Sequence, residues 1–139
     1  MSDISKAFYD TLKDDATLIA DLTKFTANRP SIFTYEPIPK QVVPPYIITA
    51  GEFTDEPDLD TKDTEGRVIR RDIRCYQRAE GSAIVVERIA SRVRTLFHRV
   101  DISITGFKTI YVEVSGPVVF DEEDLYGRIL TVKCTLANL

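Results

Sequence analysis

Imidazole and thiol chemistry are nearly absent from this chain. His98 is its only histidine, and Cys75 and Cys134 are its only cysteines. Any Cys–His or Ser–His pair would have to be built on His98. That residue sits between Arg94 and Arg99 at the end of a helical pattern, where it is expected to help satisfy terminal carbonyls. The cysteines fall inside predicted strands on the core parity, as buried, reduced thiols packing like small hydrophobes. Without secretion a disulfide is not expected, and no second Cys or His stands near either one in sequence to form a soft-metal site. A glycine-rich phosphate loop, GxSxG, HExxH and CxxC are all missing. No apolar run approaches the roughly 20 residues that span a bilayer. Met1 to Phe8 carries Asp3 and Lys6 and no apolar stretch, so no signal peptide is expected. Synthesis and assembly in the cytoplasm are the expectation. No catalytic group has a partner, no cofactor or metal is expected, and function has to be read from architecture.

What is present suits one globular domain. The 139 residues are 43% apolar and 29% charged, enough for a core without staples. The net charge of −4 is unevenly spread. Nine arginines stand against Asp72, Glu80 and Glu87 between Gly66 and Arg99. Six acids stand against Lys62 between Asp55 and Glu65, and Asp121 to Asp124 are all acidic. Overall acidity argues against non-specific nucleic-acid binding. Separated patches of opposite sign suit docking of copies or partners, and they equally describe a solvated helix face and two solvated loops.

The segment from Gly66 to Phe97 organises the rest. Gly66 to Gln77 reads as a strand with Ile69, Ile73 and Cys75 on one face. Arg78 to Ser82 is a turn, and Ala83 to Phe97 is an amphipathic helix with Ile84, Val86, Ile89, Ala90, Val93, Leu96 and Phe97 on or near one stripe. Gly81 or Ser82 is the expected N-cap. Arg71 shares the apolar parity of its strand. Either a bulge at Arg70–Arg71 resets the register, or that end of the face opens to solvent or to a neighbouring subunit.

Ile4 to Leu12 has helical spacing, and a short helical turn with Leu18, Ile19 and Leu22 follows, together forming an N-terminal helical hairpin. Phe25 to Pro30 is read as a connection and Ser31 to Tyr35 as a short strand. Glu36 to Pro45, with four prolines, is an extended loop along a sheet edge. It is either a contact surface that loses little entropy on binding or a guard against edge aggregation. Tyr46 to Phe53 is a strand with a bulge expected at Gly51. Ile102 to Thr105 follows the helix, and Phe107 to Ser115 is a strand with Ile110, Val112 and Val114 of one parity. Gly116-Pro117 is expected to turn the chain, Val118 to Phe120 to continue briefly as strand, and Asp121 to Asp124 to turn again. Leu125 to Leu136 is the last strand, with Leu130, Val132, Cys134 and Leu136 inward. The sum is an α+β fold: an antiparallel sheet of four to five strands, one long helix on one face and a short N-terminal helical hairpin.

Thr54 to Glu65 reads as an acidic hairpin arm. Its Asp58, Asp60, Asp63 and Glu65 invite a metal reading, but Gly66 is misplaced for an EF-hand turn and no paired helices flank it. An arm ordered by partners, a metal site and an ordinary loop stay open. An enzyme that holds Mg²⁺ on the arm and clamps phosphate with arginines needs carboxylates on rigid elements.

The order of segments resembles a known family. Asp14, Asp15 and Ala16 turn out of an N-terminal helix, and Pro44-Pro45-Tyr46-Ile47-Ile48 opens a strand. A long arm, the arginine-bearing strand Arg67 to Tyr76, the helix Ala83 to Phe97 and the closing strand Tyr126 to Leu136 follow. Nearly the whole chain resembles the tail-terminator or tail-completion proteins of long-tailed bacteriophages, with their prophage and gene-transfer-agent relatives. The resemblance implies a single-domain structural protein of the virion and no enzyme. It implies a homo-oligomeric ring, usually a hexamer, at the head-proximal end of the tail. Such a ring caps the tail-tube protein, stops its polymerisation and docks to the head–tail connector or stopper, while DNA passes through the lumen without specific binding. A ring joins two different patches of each subunit. The candidate contacts are therefore Arg70, Arg71, Arg74, Arg88 and Arg92 on the basic side and Asp55, Glu56, Asp58, Asp60 and Asp63 on the arm. An arm lining the lumen would repel DNA and leave it mobile. The alternatives are a head-side connector adaptor or stopper and, from a different class, a Mg²⁺-dependent phosphate-processing enzyme.

Overall fold

A computed structural model describes residues 3–26, 28–36, 38–55 and 66–138. The chain runs α1 (Asp3–Lys13), α2 (Ala16–Ile19), β1 (Lys24–Phe25), β2 (Arg29–Pro30), β3 (Ile32–Phe33), β4 (Tyr46–Asp55), β5 (Gly66–Arg78), α3 (Ile84–Phe97), β6 (Phe107–Val119) and β7 (Leu125–Asn138). Five strands form one sheet in the order β3-β4-β5-β7-β6, and β1 and β2 form a small separate pair. The sheet is mixed. β3 runs parallel to β4, while the other pairs are antiparallel. This corrects the purely antiparallel expectation. The proline-rich stretch carries the chain back, so that Tyr46 sets out in the direction of Ile32, and Ile47 N–H donates to Ser31 O at 2.9 Å. Phe25 to Pro30 also contains the two strands of a hairpin rather than a bare connection.

The helices follow their apolar spacing. Ile4, Ala7, Phe8 and Leu12 of α1 are buried, and Lys6 and Asp10 pair one turn apart at 2.6 Å. Asp15 caps α2 by accepting a hydrogen bond from Leu18 N–H at 2.9 Å. β5 and β6 both run antiparallel to β7 and so parallel to each other, which makes α3 a crossover connection. α3 buries Val86, Ile89, Ala90, Val93 and Phe97, and Phe97 stacks on Phe8 with ring centroids 5.0 Å apart. Ile84 does not join that stripe; it is 64% exposed.

The start of α3 is capped from outside the helix. Ala83 precedes it without a side-chain cap. Gln77, on β5, accepts from Val86 N–H through Oε1 at 2.7 Å and donates through Nε2 to Ser82 O at 2.8 Å. That is the role expected of Gly81 or Ser82. The nearest approach from Ser82 is its hydroxyl, 3.5 Å from Ile84 N.

β5 pairs with β7 without interruption, from Gly66↔Ala137 to Arg78↔Leu125. No bulge resets Arg70–Arg71, and Arg71 faces the core. The bulge in β4 lies between Ala50 and Phe53, around the expected Gly51. β6 continues through Gly116-Pro117 with one bulge, where a turn was expected, and a second bulge between Thr109 and Tyr111 turns Ile110 outward. Gly116 has φ +96°, and a Cβ there would lie 2.7 Å from Ile129 O.

Candidate functional site

The side chains singled out from sequence divide between the core, the surface of the fold and residues outside the description. Arg71 is 3% exposed. Its Nε donates to Thr49 Oγ1 at 2.8 Å and its Nη2 to Thr49 O at 2.6 Å. Its guanidinium lies over the Phe8 ring, 5.6 Å from the centroid. Both accounts of its parity, a bulge and an open face, give way to a third: the sheet turns a cation into the core and satisfies it there.

Arg88 and Arg92 lie on α3 and are engaged within the chain. Arg88 makes a two-pronged pair with Asp21, at 2.8 and 2.6 Å. Arg92 does the same with Asp15, at 2.8 and 2.7 Å. The bond from Arg92 holds the Asp15 carboxyl below the usual carboxylate range, aided by Leu18 N–H and opposed by partial burial. The bond from Arg88 does the same for Asp21. Asp15 therefore both caps α2 and anchors it to α3.

Arg70 and Arg74 lie on the opposite face of the sheet from α3. Arg74 pairs with Glu36 at the start of the proline-rich segment. Ile38 and Val42 from that segment pack with Phe33 against Tyr46, Ile48 and Tyr76, covering one end of this face. Toward the other end the face is polar. Asp72 accepts from Thr131 Oγ1 at 2.9 Å, and Arg70, Lys133 and Glu113 stand side by side across β5, β7 and β6. Lys133 was not singled out from sequence. Alternation along β7 places it outward, but only the strand register sets it beside Arg70. Glu56, Asp58, Asp60 and Asp63, with the acidic arm, lie outside the described residues, as does the side chain of Asp55.

His98 closes the helix through its backbone, whose N–H donates to Arg94 O at 2.8 Å, while its ring Nδ1 accepts from Val114 N–H of β6 at 3.1 Å. Arg94 likewise leaves its own helix and donates from Nη1 to Val114 O and Gly116 O at 2.8 and 2.9 Å. Cys75 and Cys134 are buried, free thiols, and burial pushes the Cys75 thiol up to about 12.

A hollow of about 530 Å³ opens among Tyr9, Phe25, Arg29, Phe33 and Pro39. Its described lining has no carboxylate, imidazole or thiol. Among the described residues no group of three His, Cys, Asp or Glu could hold a metal ion, and every buried side-chain polar atom has a hydrogen-bond partner. No helix among them is long and apolar enough to cross a membrane. The charges described above hold elements of the fold together.

No protein-family model matches the sequence, and no curated protein matches it either. Among solved structures, the fold is similar to a chain of the "Virion of native gene transfer agent (GTA) particle", with a TM-score of 0.77 and 18% identity over 97% of this chain and 95% of that one. At that identity the likeness establishes a shared fold over nearly the whole of both chains.

Proposed function

We propose that this protein is a structural component of a phage-like virion and, within it, the tail terminator. Copies form a hexameric ring at the head-proximal end of the tail, cap the tail-tube protein, end its polymerisation and join the tail to the head connector. The observation that carries the proposal is the end-to-end fold likeness to a chain of a gene-transfer-agent virion, with 97% and 95% of the two chains covered. The order of segments, similar to tail-terminator proteins over nearly the whole sequence, supports the particular role. So does the segregation of charge, since a ring joins unlike patches.

The cationic side of such a ring is the arginine-bearing β5–α3 segment, on which Arg70 and Arg74 lie on the sheet face away from α3, with Lys133 beside Arg70. Its acidic counterpart is the segment from Asp55 to Asp63 of the next copy. Light scattering across protein concentration and salt tests this. The expected result is a discrete sixfold species that loosens as salt screens the pairs. Charge reversal at Asp58 and Asp60 is expected to weaken it without moving the melting temperature of the single chain. Assembly of that variant indistinguishable from wild type at physiological salt would exclude the arm as the contact. A protein that binds connector rather than tube would instead be a head-side adaptor.

A further inference from the structure

The two borders of the sheet are closed by arginines in the same way. On β4, Ile47 N–H points away from β5 to reach Ser31 O, so alternation turns the Thr49 carbonyl outward as well. β3 pairs only with Ile47 and Ile48, and the next outward acceptor, Thr49 O, is taken by Arg71. On β6, which pairs with β7 on one side and ends the sheet on the other among the described residues, Val112 O accepts from Arg99 N–H at 2.9 Å. Val114 N–H donates to His98, and Val114 O and Gly116 O accept from Arg94. The end of α3 thus occupies the positions that an added strand would use.

We propose that the β6 edge is a strand-docking surface for a second copy of this chain, held shut by Arg94, His98 and Arg99. An edge with outward donors and acceptors is a template for another strand. β6 has the composition for it, since Phe107 to Ser115 is rich in β-branched and aromatic residues. The occupant is a second β6. Antiparallel pairing of the edge with itself can set Lys108 of one copy against Glu113 of the other, both exposed and on the same face, and a two-fold pairing closes on itself. The β4 border is the poorer partner because β3 already pairs with Ile47 and Ile48 and Arg71 takes the Thr49 carbonyl. The guard keeps copies from joining through their sheets, so contact is left to the faces and loops. This inference does not depend on the ring: a failed capping experiment leaves it standing, and its own failure leaves the ring reading intact.

The test compares Arg94→Ala, Arg94→Lys and Arg94→Ala with Lys108→Glu against wild type. The readouts are solution mass over a wide concentration range and the infrared band of intermolecular antiparallel β-structure. Arg94→Ala is expected to raise self-association at least tenfold and to gain the band. Millimolar methylguanidinium should reverse both. Arg94→Lys, with a single cationic head in place of the fork, should fall between, and Lys108→Glu should lower the association of Arg94→Ala. Wild-type mass in Arg94→Ala, or added mass without the band, overturns the proposal. Association unaffected by Lys108→Glu overturns the paired β6 arrangement. If Arg94→Ala does not fold, Arg94→Lys carries the same test, and loss of fold in both overturns a guarding role in favour of a core one.

Discussion

At the scale of single residues, the arginines of this chain separate by which backbone they can reach. Arg71 was visible in the sequence as a charge on an apolar parity. Nothing in the sequence places the outward carbonyl of Thr49 within its reach, because that depends on the pairing of β4 with both of its neighbours. Removing the side chain strands Thr49 O and Thr49 Oγ1 in the core. Arg71→Ala is therefore expected to cost about 2–4 kcal/mol of unfolding free energy in urea titrations, the range for a buried polar partnership broken from one side. Gln77 is a second such case. A glutamine at the end of a strand carries no capping signature, yet it meets α3 because the turn folds the helix start back over β5. The cysteines were readable from strand parity alone, and burial has the chemical consequence already given. Because the thiolate is the reactive form, Cys75 is expected to resist maleimide in the folded protein and to react at once in denaturant; prompt labelling under native conditions would contradict its burial.

At the scale of elements, long periodic segments were legible; of the short ones, the α2 turn and the β3 strand were expected, while the β1–β2 hairpin and the parallel direction of β3 were not. α1, α3, β5 and β7 each present enough apolar positions at one period to declare themselves. The two-residue strands β1, β2 and β3 have no period, and the parallel pairing of β3 is set by the path of the prolines. The Gly116-Pro117 dipeptide has the chemistry of a turn. It becomes a bulge because Ile129 and Arg128 on β7 continue to pair beyond it with Val118 and Val119. Close backbone approach matters at Gly127 too, where a Cβ would overlap Phe120 O. Gly127→Ala is expected to destabilise by about 1–3 kcal/mol, the range for overpacking a tight site, and to loosen the β6–β7 connection in hydrogen exchange. The α2–α3 anchors make a further prediction. The carboxyls of Asp15 and Asp21 are held below the usual range in the folded state. As pH falls, the unfolded chain takes up protons first, near about 3.9, so the anchors' contribution is whole above that value and is lost below it as pH passes through the lower folded values. The urea midpoint should therefore drop on acidification below the carboxylate range. In Arg92→Gln the drop should be shallower, because less remains to be lost; an unchanged acid slope would mean that the pair contributes nothing.

At the scale of the whole molecule, the α+β class and the inward faces of the long strands followed from apolar patterning. The division of labour among the charges did not. Nine arginines in a row of sequence read as one basic side. In three dimensions Arg71 is in the core, Arg88 and Arg92 hold α2, and Arg94 and Arg99 close β6. Arg70 and Arg74, joined by Lys133, lie on the sheet face away from α3. Sequence reports the density of charge, but the partners are set by which strands and helices lie together. In the proposed ring, contact between copies falls to the faces and loops, with the β6 edge guarded by Arg94, His98 and Arg99. The central claim is that such copies close a ring on the end of a tail tube. The most direct measurement is electron microscopy of tail-tube protein from the same particle, polymerised with and without this protein. The account predicts tubes halted at a fixed length with a sixfold ring at one end; tubes that lengthen unchanged, with bare ends, would contradict it.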